Sequence, residues 1–237
     1  MKEIKSLKSL GCILSKLDHI KGVNRGLEQY QTPSEVASEI IWNAMLNRDI
    51  TDNIIYDLGC GNGIFGIGAL LTGAAYCVFL ELDVATVELC KRNLNQFSEI
   101  FKSNNEYIII NENVNEFKDK IKLDDFEFEN KDEFGIEEQF GTIEKVKKVV
   151  LMNPPFGTKR VHADREFLVK AFEFADVIYS LHMKSTVGFL DAVSTDNNFK
   201  ITHRWEYDFG IKRSHEMHKK DYHEVPVICV RMERISK

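Results

Sequence analysis

The sequence lacks the features that mark several special classes of protein. No stretch approaches the roughly 18 consecutive apolar residues that a membrane-spanning helix needs, and the basic N-terminus is not followed by the apolar core of a signal peptide. The five cysteines are scattered and form no C-x-x-C pair. An odd, scattered set is typical of a reducing compartment, where cysteine serves as a small apolar residue. We therefore expect neither a leader nor a membrane anchor.

Positive charge is also scarce, which argues mildly against a nucleic-acid partner. The formal net charge is -6, but it is unevenly distributed. Residues 116–144 hold eleven acidic and four basic side chains, a net charge of -7, whereas residues 1–25 carry +4 and residues 199–237 carry +3. Both ends are thus positive, and a basic patch built from them is possible without being established. We interpret residues 116–145 as a mobile surface insertion, with an ordered element as the alternative.

The order of apolar segments predicts a single α/β domain. A length of 237 residues suits one substantial domain, and no internal repeat is present. Strand-like and helix-like segments alternate through the first two thirds, with strands predicted at 53–58, 77–81, 107–110, 149–152 and 177–180. Two further strands are predicted near 202–207 and 225–231. This order predicts an open, mainly parallel sheet with an antiparallel ending.

A glycine-rich turn follows the first predicted strand and opens a helix. It reads D-L-G-C-G-N-G at residues 57–63 and lies at the carboxyl edge of the sheet, where open α/β sheets bind ligands. With Gly66 the turn also satisfies G-x-G-x-x-G, a weak signal by itself. Glu81 ends the next strand and is placed to accept hydrogen bonds from ribose hydroxyls. Asp83 is predicted to be the N-cap of the next helix.

The acidic residue at the start of this turn distinguishes two cofactors. NAD and S-adenosylmethionine fit the glycines and Glu81 equally well. Asp57 would repel a pyrophosphate but would interact favourably with an ammonium group. S-adenosylmethionine carries an ammonium and a sulfonium, so Asp57 favours it over NAD.

The segment N-P-P-F at residues 153–156 follows the fourth strand and carries the chemistry. Two adjacent prolines cannot extend a central strand, so the chain leaves the sheet here. The Asn153 side-chain oxygen and the Pro154 carbonyl could each accept a hydrogen of an aminopurine N6, which frees its lone pair for attack on a methyl group. The ring of Phe156, after Pro155, offers a face on which an extruded base can stack. A rigid structural loop is the alternative.

Three motifs together resemble the methyltransferase-like protein 5 family, which methylates N6 of an adenosine in small-subunit ribosomal RNA. They are L-E-Q-Y-Q-T-P at 27–33, N-P-P-F-G-T-K at 153–159 and Y-S-L-H at 179–182. The resemblance implies a class I, Rossmann-like methyltransferase domain over residues 26–237, preceded by a basic segment over 1–25. It implies a seven-stranded sheet with helices on both faces, and action in the cytoplasm or the nucleus, including the nucleolus.

The same resemblance implies the cofactor site. Gln29 and Thr32 would reach the methionine end of S-adenosylmethionine, and Glu81 would hold its ribose. The pocket would be completed by Gly59, Asn62 and Ile64, with Asn113 near the adenine. The family has Asp at the positions of Glu81 and Asn113, and both residues here can still accept hydrogen bonds. Thr32 has a local alternative, as the N-cap of a helix with Pro33 at its first position and Glu35 closing a capping box.

A partner is implied as well, a small zinc-binding activator protein. The third predicted strand would lie at the edge of the sheet, and its core Tyr107–Ile110 is apolar and uncharged. Such an edge invites pairing with another chain.

Several alternatives remain open at this point. N-P-P motifs also serve N-methylation of protein glutamine and of adenine in DNA, and a non-catalytic RNA-binding subunit is a third possibility. The histidines at 215, 218 and 223 lack a clear further ligand, so we predict no metal site. The basic run 212–220 is either a phosphate-contacting loop or an ordinary solvated one. Lys159, Arg160 and Arg165 are better placed to meet substrate phosphates.

Overall fold

A computed structural model describes residues 4, 6–19, 31–98, 101, 106–122, 145–156, 163–212 and 222–235. The helices in this described part are α1 (Leu7–Leu14), α2 (Ser34–Leu46), α3 (Ile64–Leu71), α4 (Val84–Phe97), α5 (Ala163–Phe174) and α6 (Val187–Asp196). The strands are β1 (Ile54–Leu58), β2 (Tyr76–Glu81), β3 (Glu106–Asn111), β4 (Lys148–Met152), β5 (Val177–Met183), β6 (Phe199–Lys212) and β7 (Tyr222–Arg234). Among the described helices, none has the length and apolarity needed to cross a bilayer.

The strands form one seven-stranded sheet in the order β3-β2-β1-β4-β5-β7-β6. Strands β1 to β5 run parallel to one another. Strand β7 runs antiparallel to β5, and β6 runs antiparallel to β7. This confirms the predicted parallel sheet with an antiparallel C-terminal hairpin. The strand order reverses between β1 and β4, and ligands bind open sheets at the carboxyl edge of such a point.

Helices cover both faces of the sheet because its central strands are apolar on both sides. All five residues of β1 are buried. Helices α1 to α4 pack on one face, where Leu10, Ile41 and Leu94 belong to one apolar cluster. Helices α5 and α6 pack on the other face through Leu168 and Leu190. The strand ends between these two layers are left for the site.

Two helices were not predicted, and one of them lies within the basic segment 1–25. Ser6 is the N-cap of helix α1, and its side chain forms a capping box with Ser9. It carries Leu10 and Leu14 into the core, where their exposed fractions are 0% and 1%. The described part of that segment therefore packs against the sheet domain. The other helix, α6, joins β5 to β6.

The start of α2 differs from the prediction. Pro33 occupies the N-cap position, Ser34 is the first helical residue, and no side chain caps the helix. The interpretation of Thr32 as N-cap with a capping box to Glu35 is therefore wrong. Proline at the N-cap has no backbone N–H, which removes one of the four unpaired donors at the start of the helix. The hydroxyl of Thr32 is used elsewhere.

The beginning of the acidic segment packs against the sheet. Phe117 is 3% exposed. Asp119 accepts hydrogen bonds from the hydroxyl of Tyr56 at 2.8 Å and from Nζ of Lys148 at 2.5 Å. The carbonyl of Ile121 accepts a second bond from Lys148 at 2.6 Å. The interpretation as a mobile insertion is therefore wrong for residues 117–122, because buried donors on β1 and β4 need these acceptors. Residues 123–144 lie outside the described part.

Candidate active site

The candidate residues gather where β1 and β4 end side by side. The parallel register pairs Leu58 with Met152. The glycine turn after β1 and the N-P-P-F segment at 153–156 therefore leave the sheet next to each other. Glu81 ends β2, which pairs with β1 on its other side. The carboxyl edge thus brings together the three groups that the sequence singled out.

The glycine turn needs its glycines for conformation and for space. Gly59, Gly61 and Gly63 have positive φ angles of 68°, 57° and 85°, which residues with a side chain rarely adopt. The Gly59 N–H donates to the Leu80 carbonyl at 2.8 Å. A Cβ at Gly59 would stand 2.9 Å from the Phe167 ring. The turn is therefore fixed between β2 and α5.

Glu81 is held in place by three backbone N–H groups. One carboxylate oxygen accepts from Gly61 at 3.0 Å, and the other accepts from Leu82 at 2.9 Å and Asp83 at 3.0 Å. Burial raises the pKa of Glu81 above its usual value, although these hydrogen bonds oppose the change. A carboxylate has about four acceptor sites, so one prearranged site remains for a ligand hydroxyl.

Asp57 and Asp83 each stabilise the start of a helix. Asp57 is 2% exposed and accepts from the Gly66 N–H of α3 at 2.8 Å. Burial raises its pKa well above the usual range. Its predicted action on a ligand's ammonium group stays a prediction. Asp83 accepts from the Thr86 N–H at 2.9 Å, which confirms it as the N-cap of α4.

The chemistry of this turn fits S-adenosylmethionine. Two carboxyl groups, Asp57 and Glu81, flank the turn, and residues 53–66 include no lysine, arginine or histidine. A pyrophosphate would find carboxylates and no basic side chain there, whereas a sulfonium and an ammonium group would be attracted. The backbone of Gly59 and Asn62 belongs to this turn, where a ligand can approach it closely. Ile64, the first residue of α3, is 4% exposed.

A set of amide hydrogen bonds holds the segment after α1 against the turn. Asn62 Nδ2 donates to the Asp18 carbonyl at 3.2 Å, and Asn93 Nδ2 donates to the same carbonyl at 3.2 Å. Asn93 Nδ2 also donates to the Asn62 carbonyl at 2.9 Å, and its oxygen accepts from the Asp18 N–H at 2.8 Å. Sequence reasoning missed Asp18 and Asn93. The only signal was an asparagine on the apolar side of α4.

Asn113 lies just beyond β3, at the same edge of the sheet. Its side-chain oxygen accepts from the Asn115 N–H at 2.9 Å and so shapes the turn after the strand. Asn111, the last residue of β3, pairs in register with Glu81. The predicted contact of Asn113 with the adenine of a cofactor stays a prediction.

The side chain of Asn153 is oriented by Thr32. Asn153 Nδ2 donates to Thr32 Oγ1 at 3.0 Å, and Thr32 is 4% exposed. Since the amide nitrogen is turned to Thr32, the amide oxygen is directed away from it. Pro154 is buried and Pro155 is half-buried, which keeps this loop tight. The structure thus joins two residues that the sequence had assigned to different roles.

Phe156 stands at the edge of the apolar core. It is half-buried, and its ring centroid lies 6.4 Å from that of Phe209 with the planes at 56°. A ring supported by the core on one side offers a firm surface for stacking.

Three polar side chains near this loop were missed as functional candidates. Ser180 and His182 lie on β5 and are 0% and 1% exposed. Ser180 Oγ is 2.7 Å from His182 Nε2, and His182 Nδ1 is 3.5 Å from a carboxylate oxygen of Asp164 on α5. Burial alone would raise the pKa of Asp164, but the hydrogen bond and charge of His182 bring it below the usual value. The available signal was the alternation of polar residues along a buried strand.

Some predicted residues lie outside the described part of the chain. They are Gln29, the continuation at 157–159 with Lys159, Arg160, and the run 213–220 with its two histidines; the side chains of Lys212 and His223 are not described either. Arg165 is described and is exposed in the first turn of α5. Within the described residues, no group of three His, Cys, Asp or Glu side chains is arranged to hold a metal ion.

Comparison with known proteins adds relatives over the whole length. The chain is 33% identical to an uncharacterized protein, MJ0284, of Methanocaldococcus jannaschii over 97% of this chain and 94% of that one. It is 27% identical to the rRNA N(6)-adenosine-methyltransferase METTL5 of Danio rerio, over 95% of this chain and 97% of that one. The solved structure of a "putative RNA methyltransferase", PH1948 from Pyrococcus horikoshii, matches with a TM-score of 0.76 and 32% identity, covering 98% and 100%.

A family model for ribosomal protein L11 methyltransferase (PrmA) matches only residues 40–123. That range runs from α2 past β3 and ends before the N-P-P-F segment. The match therefore covers the glycine turn and Glu81 but not the N-P-P-F segment.

The sheet order, with a glycine turn and an N-P-P-F loop meeting at its switch point, is that of class I methyltransferases, and the chain is an S-adenosylmethionine-dependent enzyme of this class. Its archaeal and animal relatives align with it from end to end. The chain belongs to the methyltransferase-like protein 5 family.

Proposed function

We propose that the chain methylates N6 of an adenosine in small-subunit ribosomal RNA. The observation that carries the proposal is the bond from Asn153 Nδ2 to Thr32 Oγ1, which fixes the orientation of the amide and directs its oxygen away from Thr32. The METTL5 relative is named for this reaction on rRNA, without a statement of the subunit.

The proposed chemistry depends on the acceptors of the N-P-P-F loop. The lone pair of an adenine amino group is delocalised into the ring, so the amine is a poor nucleophile. Asn153 Oδ1 and the Pro154 carbonyl each accept one N6 hydrogen and draw the nitrogen towards tetrahedral geometry. Prearranged acceptors of this kind stabilise charge as it develops. Phe156 supports the face of the extruded base. The cofactor supplies an electrophilic methyl group on sulfur, and the N6 proton leaves to water once that methyl has transferred.

The proposed cofactor contacts follow the same edge. Glu81 accepts from the ribose hydroxyls, and Asn113 accepts from the adenine amino group. The backbone of Gly59, with Asn62 and Ile64, lines the pocket. The methionine end is bound by Gln29 and Thr32. Thr32 accepts from Asn153 and still has its own hydroxyl proton to donate, so one residue contacts both the cofactor and the catalytic amide.

The substrate class is tested by asking where the methyl group goes. The purified protein is incubated with labelled S-adenosylmethionine and, in parallel, with total RNA, genomic DNA and ribosomal proteins. Nucleoside analysis of labelled RNA should give N6-methyladenosine, and sequencing of the labelled species should place it in the small subunit. Label in protein instead would contradict the proposal and favour an activity like that of the L11 methyltransferases, and label in DNA would contradict it as well.

We also propose that a small zinc-binding activator protein covers β3. Strand β3 is an outer strand of the sheet, and its first three residues are all exposed. Tyr107 and Ile108 have exposed fractions of 39% and 42%. An apolar outer strand with free backbone groups favours addition of a partner strand. A ribosomal RNA substrate favours the cytoplasm or the nucleus, including the nucleolus, as the compartment in which we propose that the protein acts.

Phosphate contacts are the last part of the proposal. Arg165 is exposed in the first turn of α5, near the end of the loop that starts at Asn153. We propose that Arg165, together with Lys159 and Arg160 of the preceding sequence, contacts the phosphate backbone of the RNA.

A further inference from the structure

A buried polar array joins the end of β5 to the start of α5. Ser180 Oγ lies 2.7 Å from His182 Nε2, and His182 Nδ1 lies 3.5 Å from Asp164. The side chains of His182 and Asp164 are 1% and 14% exposed. A neutral imidazole can accept the Ser180 proton at Nε2 and present its Nδ1–H to Asp164, and a protonated one can donate at both nitrogens. Burying such groups is costly unless they are paired. Ser180 and His182 lie at hydrogen-bond distance, and His182 and Asp164 make a longer ion-pair contact.

The array lies at the level of the reacting amide. Strands β4 and β5 are parallel, and Met152 pairs with Ser180. Asn153 directly follows Met152, and His182 lies two residues beyond Ser180 on β5. The chain runs from Phe156 to Asp164 within a few residues. The His182–Asp164 contact therefore joins the start of α5 to the strand that pairs with Met152, the residue before Asn153.

The start of α5 also touches the cofactor side of the site. A Cβ on Gly59 would meet the Phe167 ring at 2.9 Å. Glu166 accepts from Asn115, in the turn that Asn113 shapes, at 2.8 Å. These contacts to the cofactor side are made by Phe167 and Glu166, so an Asp164 variant keeps them.

We propose that Asp164 and His182, supported by Ser180, are positioning residues that fix the N-P-P-F loop for methyl transfer. They act through the loop and not on the substrate. The inference rests on the methyltransferase activity, and its test uses whichever RNA nucleoside the wild-type protein methylates. A wild-type protein that methylates a base other than adenine would overturn the proposed function and leave this inference open to the same measurement.

The experiment compares Asp164→Ala with Asp164→Asn. Alanine removes the acceptor that His182 faces, whereas asparagine keeps an oxygen there. We expect kcat of the alanine variant to fall by about ten- to a hundredfold, because small misplacements of reacting groups have effects of this size. Kd for S-adenosylmethionine and KM for RNA should stay within about threefold, and the asparagine variant should recover part of kcat. Glu173→Gln is the matched control, since Glu173 is an exposed acid near the other end of α5 that pairs with Lys170.

A double-variant cycle separates positioning from general loss of structure. If His182 and Asp164 act as a unit, His182→Ala with Asp164→Ala should lose no more kcat than the worse single variant. A value of kcat within twofold of wild type for Asp164→Ala would overturn the proposal. So would a loss of cofactor affinity and melting temperature that parallels the loss of kcat, because that result indicates a structural role alone. Independent, multiplying losses in the double variant would also contradict it.

Discussion

An amide side chain carries a donor and an acceptor in nearly the same place, so its orientation decides which one a ligand meets. At the residue scale the site depends on this choice at Asn153. The Thr32 hydroxyl accepts from Asn153 Nδ2 at 3.0 Å, and this bond fixes the direction in which the amide oxygen points. Local sequence could not show this, because Thr32 and Asn153 are 121 residues apart.

Removing the amide should therefore stop the reaction without emptying the cofactor pocket. We expect Asn153→Ala to lower kcat by a factor of a hundred or more, roughly 3 kcal/mol, as for single prearranged groups at other active sites. Cofactor affinity, measured by calorimetry, should change only severalfold. Phe156→Ala should also fail, whereas Phe156→Tyr keeps the ring and some activity. An active Asn153→Ala protein would mean that N-P-P-F is a structural loop.

Thr32 can be tested separately because valine has nearly its shape. Thr32→Val leaves Asn153 Nδ2 without this acceptor, and we expect kcat at saturating cofactor to fall about tenfold, or ~1.4 kcal/mol. Thr32→Ser keeps the hydroxyl and should retain most of the activity. Steady-state kinetics at several cofactor concentrations distinguish the two roles of Thr32. An unchanged kcat with a weaker cofactor Kd would leave only the role at the methionine end.

At the scale of elements, the central strands were predictable from the sequence, whereas helix α1 and the packing of residues 117–122 were not. The central strands are apolar runs bounded by turn residues, so β1 and β4 were placed to within one residue. Helix α1 was missed because its eight residues show only a short apolar pattern, and its place is decided by contacts with α2 and α3. Residues 117–122 were misjudged because composition reports average charge and does not show that one carboxylate, Asp119, bonds to Tyr56 and Lys148.

The acidic segment has a packed part, residues 117–122, and a remainder that we expect to be dispensable. Deletion of 123–142 should change the free energy of unfolding by less than about 0.5 kcal/mol, since loop closure depends weakly on length. Deletion of 118–142 also removes Asp119 and should cost about 2 kcal/mol or more, because Tyr56 and Lys148 lose a buried acceptor. Urea titrations measure both, and Asp119→Ala is the matched point variant. Equal stability of the two deletions would show that the packing at 118–122 contributes nothing.

The outer strand β3 has its own test. We expect the isolated chain to be poorly soluble and co-expression with the zinc-binding activator to rescue it. The sequence alone left open which isoleucine to change; Ile108 is 42% exposed, whereas Ile109 packs against the core. Ile108→Lys should therefore weaken the complex by tenfold or more while sparing the fold, and Ile109→Lys should damage the fold itself. Amide exchange over 107–111 should slow on binding. Unchanged exchange would place the partner elsewhere.

At the scale of the whole molecule, two distant groups of interactions serve different ends. Asp49 is fully buried and binds Arg231, Tyr179 and Lys147, with distances of 2.7, 2.8 and 3.0 Å. This network joins the segment after α2 to β4, β5 and β7. The carboxyl edge instead presents Glu81 and the glycine turn to a ligand. Stability and binding can therefore be perturbed separately.

Ligand binding should stabilise the whole molecule in a cofactor-specific way. A ligand that binds only the folded state raises its stability by about 2.7 kcal/mol at a hundred times Kd, which corresponds to roughly 5–10 °C in Tm for a domain of this size. We expect S-adenosylmethionine and its demethylated product to give such a shift in scanning calorimetry. NAD at the same concentration should give none, because residues 53–66 include no basic residue to bind its phosphates. Glu81→Ala should lose most of the ligand-induced shift in Tm. Asp49→Ala should lower the Tm of the free protein but keep the ligand-induced shift. Equal shifts from NAD would contradict the cofactor assignment, and an undiminished shift in Glu81→Ala would remove Glu81 from the ribose site.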